Sequence, residues 1–127
     1  MELLNQNYVP VEDDAQALAS DEVENLSTCI PDWQIIEENG EQYLRRIFEF
    51  QDFTEATDFV AQVAKQCPFE DHHPRITVER YQVILDMWTP ALGGLHPNDF
   101  IMARRIDDIC SRWELISGQK DVVEQAS

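Results

Sequence analysis

The hydrophobic period of this chain changes near its middle, and that change demands both a hairpin and a covering helix. Trp33 to Glu37 reads as a short strand. Asn39-Gly40 lies at the centre of the next turn, and this dipeptide is a strong hairpin signal. Gln42 to Phe50 reads as the returning strand, with Leu44, Phe48 and Phe50 alternating onto one face and Arg46 among them. Beyond it the period lengthens. Ala56, Phe59, Val60, Val63, Ala64 and Cys67 recur at helical spacing, while Asp58, Gln62 and Lys65 occupy other faces. Asp52 or Thr54 is the expected cap, and Pro68, lacking an N–H, is the expected stop.

The flanking segments complete the pattern. Ser20 reads as the N-cap of an earlier helix with acids in its first turn and Val23, Leu26 and Ile30 along one face, ended by Pro31. Ile76 to Trp88 carries strand signals, with Val83, Leu85 and Met87 sharing a face opposite Ile84, Asp86 and Trp88. Arg75 to Glu79 reads as a separate strand leading into Tyr81. Gly93-Gly94 breaks the chain, and Pro97 suits the first turn of a last helix. Its apolar stripe is Phe100, Ala103, Ile106, Cys110 and Trp113, which leaves Arg104, Arg105, Asp107 and Asp108 to solvent. The order helix, hairpin, helix, strand pair, helix predicts an α+β fold in two layers, an antiparallel sheet with its long helices on one face. The other face is left to solvent or a partner subunit. Residues 1–19 read as an acidic, disordered tail containing the apolar patch Tyr8-Val9-Pro10-Val11. Residues 20–114 form the domain, and 115–127 read as a frayed end.

Charge narrows the partners. The formal net charge is −16, and eleven acids precede the first base, Arg45. Phosphate neutralisation needs cations, so neither nucleic acid nor an anionic membrane is an expected partner. The acidic stretch is either a solubilising tail or a docking arm for a basic surface. No run approaches a membrane span, and the first residues lack a signal-peptide pattern, so a cytoplasmic location is expected. Cys29, Cys67 and Cys110 show no paired spacing and read as small buried apolar residues, with no metal and no redox pair.

Glu70-Asp71-His72-His73-Pro74 is the segment that carries chemistry. Histidine titrates near neutrality, so an exposed pair can give and take protons at pH 7. Adjacent side chains in an extended segment face opposite ways, which argues against both holding one metal.

With that pair, the string Trp33, Leu44-Arg45-Arg46, Phe48-Glu49-Phe50, Asp52-Phe53, Glu55-Ala56, Phe59-Val60, Val63-Ala64 resembles the pterin-4a-carbinolamine dehydratases. So does the later run Tyr81, Val83, Thr89, Gly93-Gly94-Leu95, Asn98-Asp99-Phe100-Ile101, Ala103, Ile106-Asp107. The resemblance covers about residues 20–112. It implies a four-stranded antiparallel sheet with three helices, self-association into homodimers or homotetramers, and dehydration of a 4a-hydroxytetrahydropterin without metal or cofactor. Its catalytic positions are the adjacent histidines, here His72 and His73, and a third histidine at the end of the next strand. In this chain that third position is Pro90, preceded by Trp88 and Thr89. Pro68 stands where the family tends to have an acid, and His96 where it often has a capping threonine.

The departures favour a branch that keeps the fold without the activity, the dehydratase-like Rubisco assembly factors of α-carboxysomes. That resemblance implies an ATP-independent, chaperone-like role toward Rubisco large-subunit oligomers, in the cytoplasm and with carboxysome association. Trp88, Thr89 and Pro90 are the candidate binding residues, with the acidic arm. The alternative is an active dehydratase in which His72 and His73 do all the proton transfer. A coactivator-like binding role is also known for this fold.

Overall fold

In a computed structural model of the chain, residues 7–67, 73–113 and 115–116 are described. Three helices and four strands follow in the expected order: α1 (Ser20–Ser27), β1 (Gln34–Glu38), β2 (Glu41–Glu49), α2 (Phe53–Lys65), β3 (Arg75–Glu79), β4 (Gln82–Met87) and α3 (Pro97–Cys110). The sheet is antiparallel throughout, in the order β1-β2-β4-β3. The two hairpins therefore lie side by side, with β2 and β4 at the centre.

Local chemistry explains the boundaries. Asn39 (φ 55°) and Gly40 (φ 80°) take the left-handed conformations that a two-residue turn between twisted strands requires. Arg80 (φ 58°) does the same for the β3–β4 hairpin, a turn that no glycine announces. Asp52 rather than Thr54 caps α2, its Oδ1 accepting from the Glu55 N–H at 2.8 Å. The expected stop, Pro68, lies outside the described residues; α2 has already ended at Lys65. Ser20 is not the cap of α1. Ala19 holds that position, and Glu22 reaches back to accept from the Ala19 N–H at 3.0 Å.

The core lies between the sheet and α2 and α3. Leu44, Phe48, Val83, Leu85 and Met87 supply the sheet side, and Ala56, Phe59, Val63, Phe100, Ala103 and Ile106 the helix side. Phe59 packs at 4.8 Å from Phe48 and 4.9 Å from Phe50, and Trp113 meets Phe50 and Phe59 edge-on. All three cysteines pack in or against this core, and burial pushes the Cys110 thiol up to about 11.

One expectation fails inside this layer. Asp107 is not a solvated residue of α3. It accepts from Trp33 Nε1 at 2.7 Å and from the Arg46 guanidinium, whose side chain is only 7% exposed. The inward-facing Arg46 of β2 needs a buried anion, and Asp107 provides it. Burial raises the Asp107 pKa, and Arg46 opposes that rise.

Before α3 the chain passes close to its own N-terminal segment. The Leu18 N–H bonds to the Leu95 carbonyl at 2.9 Å. A Cβ added at Gly94 would stand 2.8 Å from that of Ala17. Gly94→Ala must therefore push the two segments apart. It is expected to lower stability by about 1–3 kcal/mol in urea denaturation.

Candidate functional site

Pairing register determines what faces the side of the sheet that none of the described helices covers. Arg45 pairs with Asp86 across β2–β4, and Asp86 pairs with Arg75 across β4–β3, so the three side chains share that face. Asp86 sits between the two cations. Arg45 donates to it through Nε (2.6 Å) and Nη2 (3.1 Å), and Arg75 through Nε (3.2 Å) and Nη2 (2.8 Å). Charge-assisted bonds of this kind orient a guanidinium more firmly than a single neutral contact. They also hold the pKa of both arginines above its usual value. Asp86 is buried beneath its own partners, and Tyr43 and Ile47 on the same face are buried as well.

Trp88 follows directly on β4, on the Ile84–Asp86 side expected from alternation. It is half-buried, with its ring 5.9 Å from Tyr43 and the Arg75 guanidinium 5.2 Å above it. A shallow pocket of about 120 Å³ lies beside it, lined by Glu38, Asn39, Glu41, Gln42, Tyr43 and Trp88. Two carboxylates and two rings in a space of side-chain size suit a lysine or arginine. Small-molecule sites are usually larger, roughly 300–1,000 Å³.

Thr89 and Pro90 turn the chain away from the sheet. Pro90 begins a 3₁₀ turn, Pro90–Leu92, and is exposed. Thr89 is buried, and its hydroxyl donates to Asp99 Oδ2 at 2.8 Å. The same oxygen accepts from the His96 N–H at 3.0 Å, while His96 Nδ1 accepts from the Asn98 N–H at 3.0 Å. His96 thus caps α3 as a neutral ring protonated on Nε2, and burial lowers its pKa. Burial lifts the Asp99 carboxyl from 3.8 to about 7, against the two bonds it accepts.

Of the histidine pair, His72 lies outside the described residues. His73 is exposed just before β3, with Nδ1 3.2 Å from the Pro74 carbonyl oxygen. It lies two residues before Arg75, whose strand partner Asp86 lies two residues before Trp88. Tyr43, Arg45, Arg75 and Asp86 escaped the sequence reading as site residues. Alternation puts Tyr43 and Arg45 on one side of β2, but only the β2–β4 register brings Asp86 and Arg75 to them. Among the described residues no group of three or more His, Cys, Asp or Glu is arranged to hold a metal ion. No helix among them is long and apolar enough to cross a membrane.

Residues 16–109 match the family model described as pterin 4 alpha carbinolamine dehydratase, and the chain belongs to that family. Two relatives, from Chlorobium limicola and Microcystis aeruginosa, both bear the name "Putative pterin-4-alpha-carbinolamine dehydratase". The first is 42% identical over 104 residues, covering 82% of this chain and 92% of its own length. The second is 37% identical over 108 residues, covering 85% and 93%. A crystal structure of a transcriptional coactivator/pterin dehydratase from Brucella melitensis superposes with a TM-score of 0.66 at 29% identity, over 74% of this chain and 98% of that one. The three-helix, four-stranded α+β architecture is thus that of a pterin dehydratase-like fold.

Proposed function

We propose that this chain is a catalytically impaired member of the family that acts as an ATP-independent, chaperone-like assembly factor for Rubisco. On this reading it works as a homodimer or homotetramer in the cytoplasm, with carboxysome association, and binds large-subunit oligomers. The observation that carries the reading is Pro90. The position where the family's third proton-transfer histidine is expected holds a residue with no side-chain proton to exchange. Thr89 beside it commits its hydroxyl to Asp99.

The surroundings support binding over chemistry. Trp88 stands half-buried on the sheet face that none of the described helices covers, between Tyr43 and Arg75. Aromatic residues flanked by arginine are typical anchors of protein interfaces. The Glu38–Glu41–Tyr43–Trp88 pocket and a net charge of −16 favour a partner surface bearing lysines or arginines. Co-expression with Rubisco large subunit tests the role. The yield of assembled large-subunit oligomer is expected to rise, and the gain to be lost in Trp88→Ala. An unchanged yield would overturn the role.

A second reading is favoured by the names of the relatives: an active dehydratase working through His72 and His73. Pro90→His distinguishes the two. The site is exposed and opens a short turn, so a histidine fits there. Restoring the ring is expected to raise 4a-hydroxytetrahydropterin dehydration by roughly 10²-fold or more, the usual contribution of a positioned acid or base. No gain from Pro90→His, alongside fast turnover by the unmodified chain, would favour the second reading.

A further inference from the structure

The Asn39-Gly40 hairpin carries an arrangement that stability alone does not favour. Glu38 and Glu41 are direct cross-strand partners, the pair that closes the turn. Like charges placed opposite one another weaken a hairpin. Both side chains are exposed, and neither forms an ion pair among the described residues. Both border the pocket of about 120 Å³ beside Trp88. Glu38 Oε2 accepts from the Tyr43 hydroxyl at 3.2 Å, and Oε1 has no hydrogen-bond partner among the described residues. Glu41 reaches toward the turn after Pro90, its Oε1 3.0 Å from where a Gly93 Cβ would stand.

The rings form the other walls. Tyr43 and Trp88 are 5.9 Å apart with their planes inclined at 54°, a wedge and not a parallel slot. The Arg45 and Arg75 guanidiniums lie 5.6 Å and 5.9 Å from the Tyr43 centroid, and that of Arg75 lies 5.2 Å from the Trp88 ring. Neither arginine lines the pocket, and Asp86 holds both. The stacking positions that a flat cation would seek are thus already in use. Glu38, Glu41 and Asp86 against Arg45 and Arg75 leave the cluster one negative charge, which a single monovalent cation neutralises.

We propose that this pocket is a lysine-selective site: it takes the ammonium of an exposed lysine on a protein partner and discriminates against arginine. The inference rests on the reading that this face binds a protein, and it names the side chain by which it does so. A guanidinium presents its N–H groups in one plane and is matched by both oxygens of one carboxylate. Here one oxygen of Glu38 is committed to Tyr43, and the second carboxylate comes from the opposite strand. An ammonium has three diverging donors and can satisfy two separate acceptors, with its last methylenes against the rings. Its charge also relieves the Glu38–Glu41 opposition, so an occupied pocket removes a strain that the free chain carries.

The test titrates the nitrogen-15-labelled full chain with acetyl-Gly-Lys-Gly-amide. The signal is the Trp88 indole N–H, assigned by its disappearance in Trp88→Phe. A saturable shift is expected, with a dissociation constant on the order of 1–10 mM, the scale of one charge-assisted contact against aromatic rings. The matching arginine peptide should bind about fivefold more weakly or worse. The Nε-acetyl-lysine peptide, which lacks the charge, should give no saturable shift. Raising salt from about 0.05 M to about 0.5 M should weaken the lysine peptide severalfold. The double variant Glu38→Gln, Glu41→Gln should lose about tenfold or more in affinity, since charged acceptors make the stronger bonds. Its urea midpoint should not fall, because the opposed charges are gone. No saturable shift with the lysine peptide, arginine binding as tight as lysine, or unchanged binding by the double variant would overturn the proposal. The titration contains no Rubisco. Lysine binding without a gain in assembled large subunit therefore refutes the assembly role and leaves the site standing, whereas a gain in assembly without lysine binding refutes the site alone.

Discussion

Arg46→Met will lower the unfolding free energy by about 3–5 kcal/mol, the usual cost of removing one partner from a buried ion pair. Its side chain is 7% exposed and that of Asp107 16%, so solvent screens little of the loss. The substitution strands a carboxylate that, among the described residues, Trp33 Nε1 alone then serves. It also removes the guanidinium stacked 4.5 Å over Phe48. The deficit will depend on pH. Burial already raises the folded-state pKa of Asp107, and losing Arg46 raises it further. A folded pKa above the unfolded one means the folded state binds the proton more tightly, so stability falls as pH climbs from the unfolded value through the folded one. The deficit is therefore largest at pH 8 and shrinks toward pH 4. Adding Asp107→Leu should recover much of it, because a buried pair can often be replaced by apolar packing at little cost. Urea midpoints at the two pH values measure each step. A deficit below 1 kcal/mol at pH 8 would contradict the pairing.

Asp99→Asn is expected to act in the opposite direction. Both the Thr89 hydroxyl and the His96 N–H donate to one oxygen, Oδ2. An amide oxygen placed there keeps both bonds and removes a buried charge, while the NH2 that replaces Oδ1 in the buried site offsets part of the gain at every pH alike. Burial lifts the carboxyl to about 7, roughly three units above its usual 3.8, which corresponds to about 4 kcal/mol between the two protonation states. The sign follows from the raised pKa. The wild-type chain is favoured at low pH and loses stability as pH rises from about 4 to about 7. The variant's stability relative to wild type should thus rise by about 3 kcal/mol between pH 4.5 and pH 8. His96 contributes in the reverse sense, since its lowered pKa costs stability as pH falls below its unfolded value near 6.5. Comparing variant with wild type at each pH cancels that contribution to first order. A stability difference independent of pH would contradict the buried ionisable Asp99.

These two effects show where the chain's own text ran out. Asn39-Gly40 and the spacing from Ala56 to Cys67 are local signals, and the hairpin and α2 formed where those signals lie. Trp88 also took the face that alternation assigned to it. Asp107 misled because an acid on a charged stretch of helix looks solvated. Only its meeting with Arg46, sixty-one residues earlier in the chain, reveals the buried pair. The Arg45–Asp86–Arg75 row was hidden for the same reason. It depends on the register between β2 and β4, and those strands are joined through α2 and β3, not by a turn with its own geometry. His96 was placed at the start of α3, but a histidine acting as N-cap has none of the usual serine, threonine or aspartate signature.

The central claim, a dehydratase fold working by binding, is tested most directly by stopped-flow dehydration of 4a-hydroxytetrahydropterin with the unmodified chain. The account predicts turnover within about tenfold of the uncatalysed rate, rising when Pro90 is replaced by histidine, because each positioned acid or base is worth roughly 10²–10⁴ in rate. Fast turnover by the unmodified chain, abolished by His73→Ala, would contradict it.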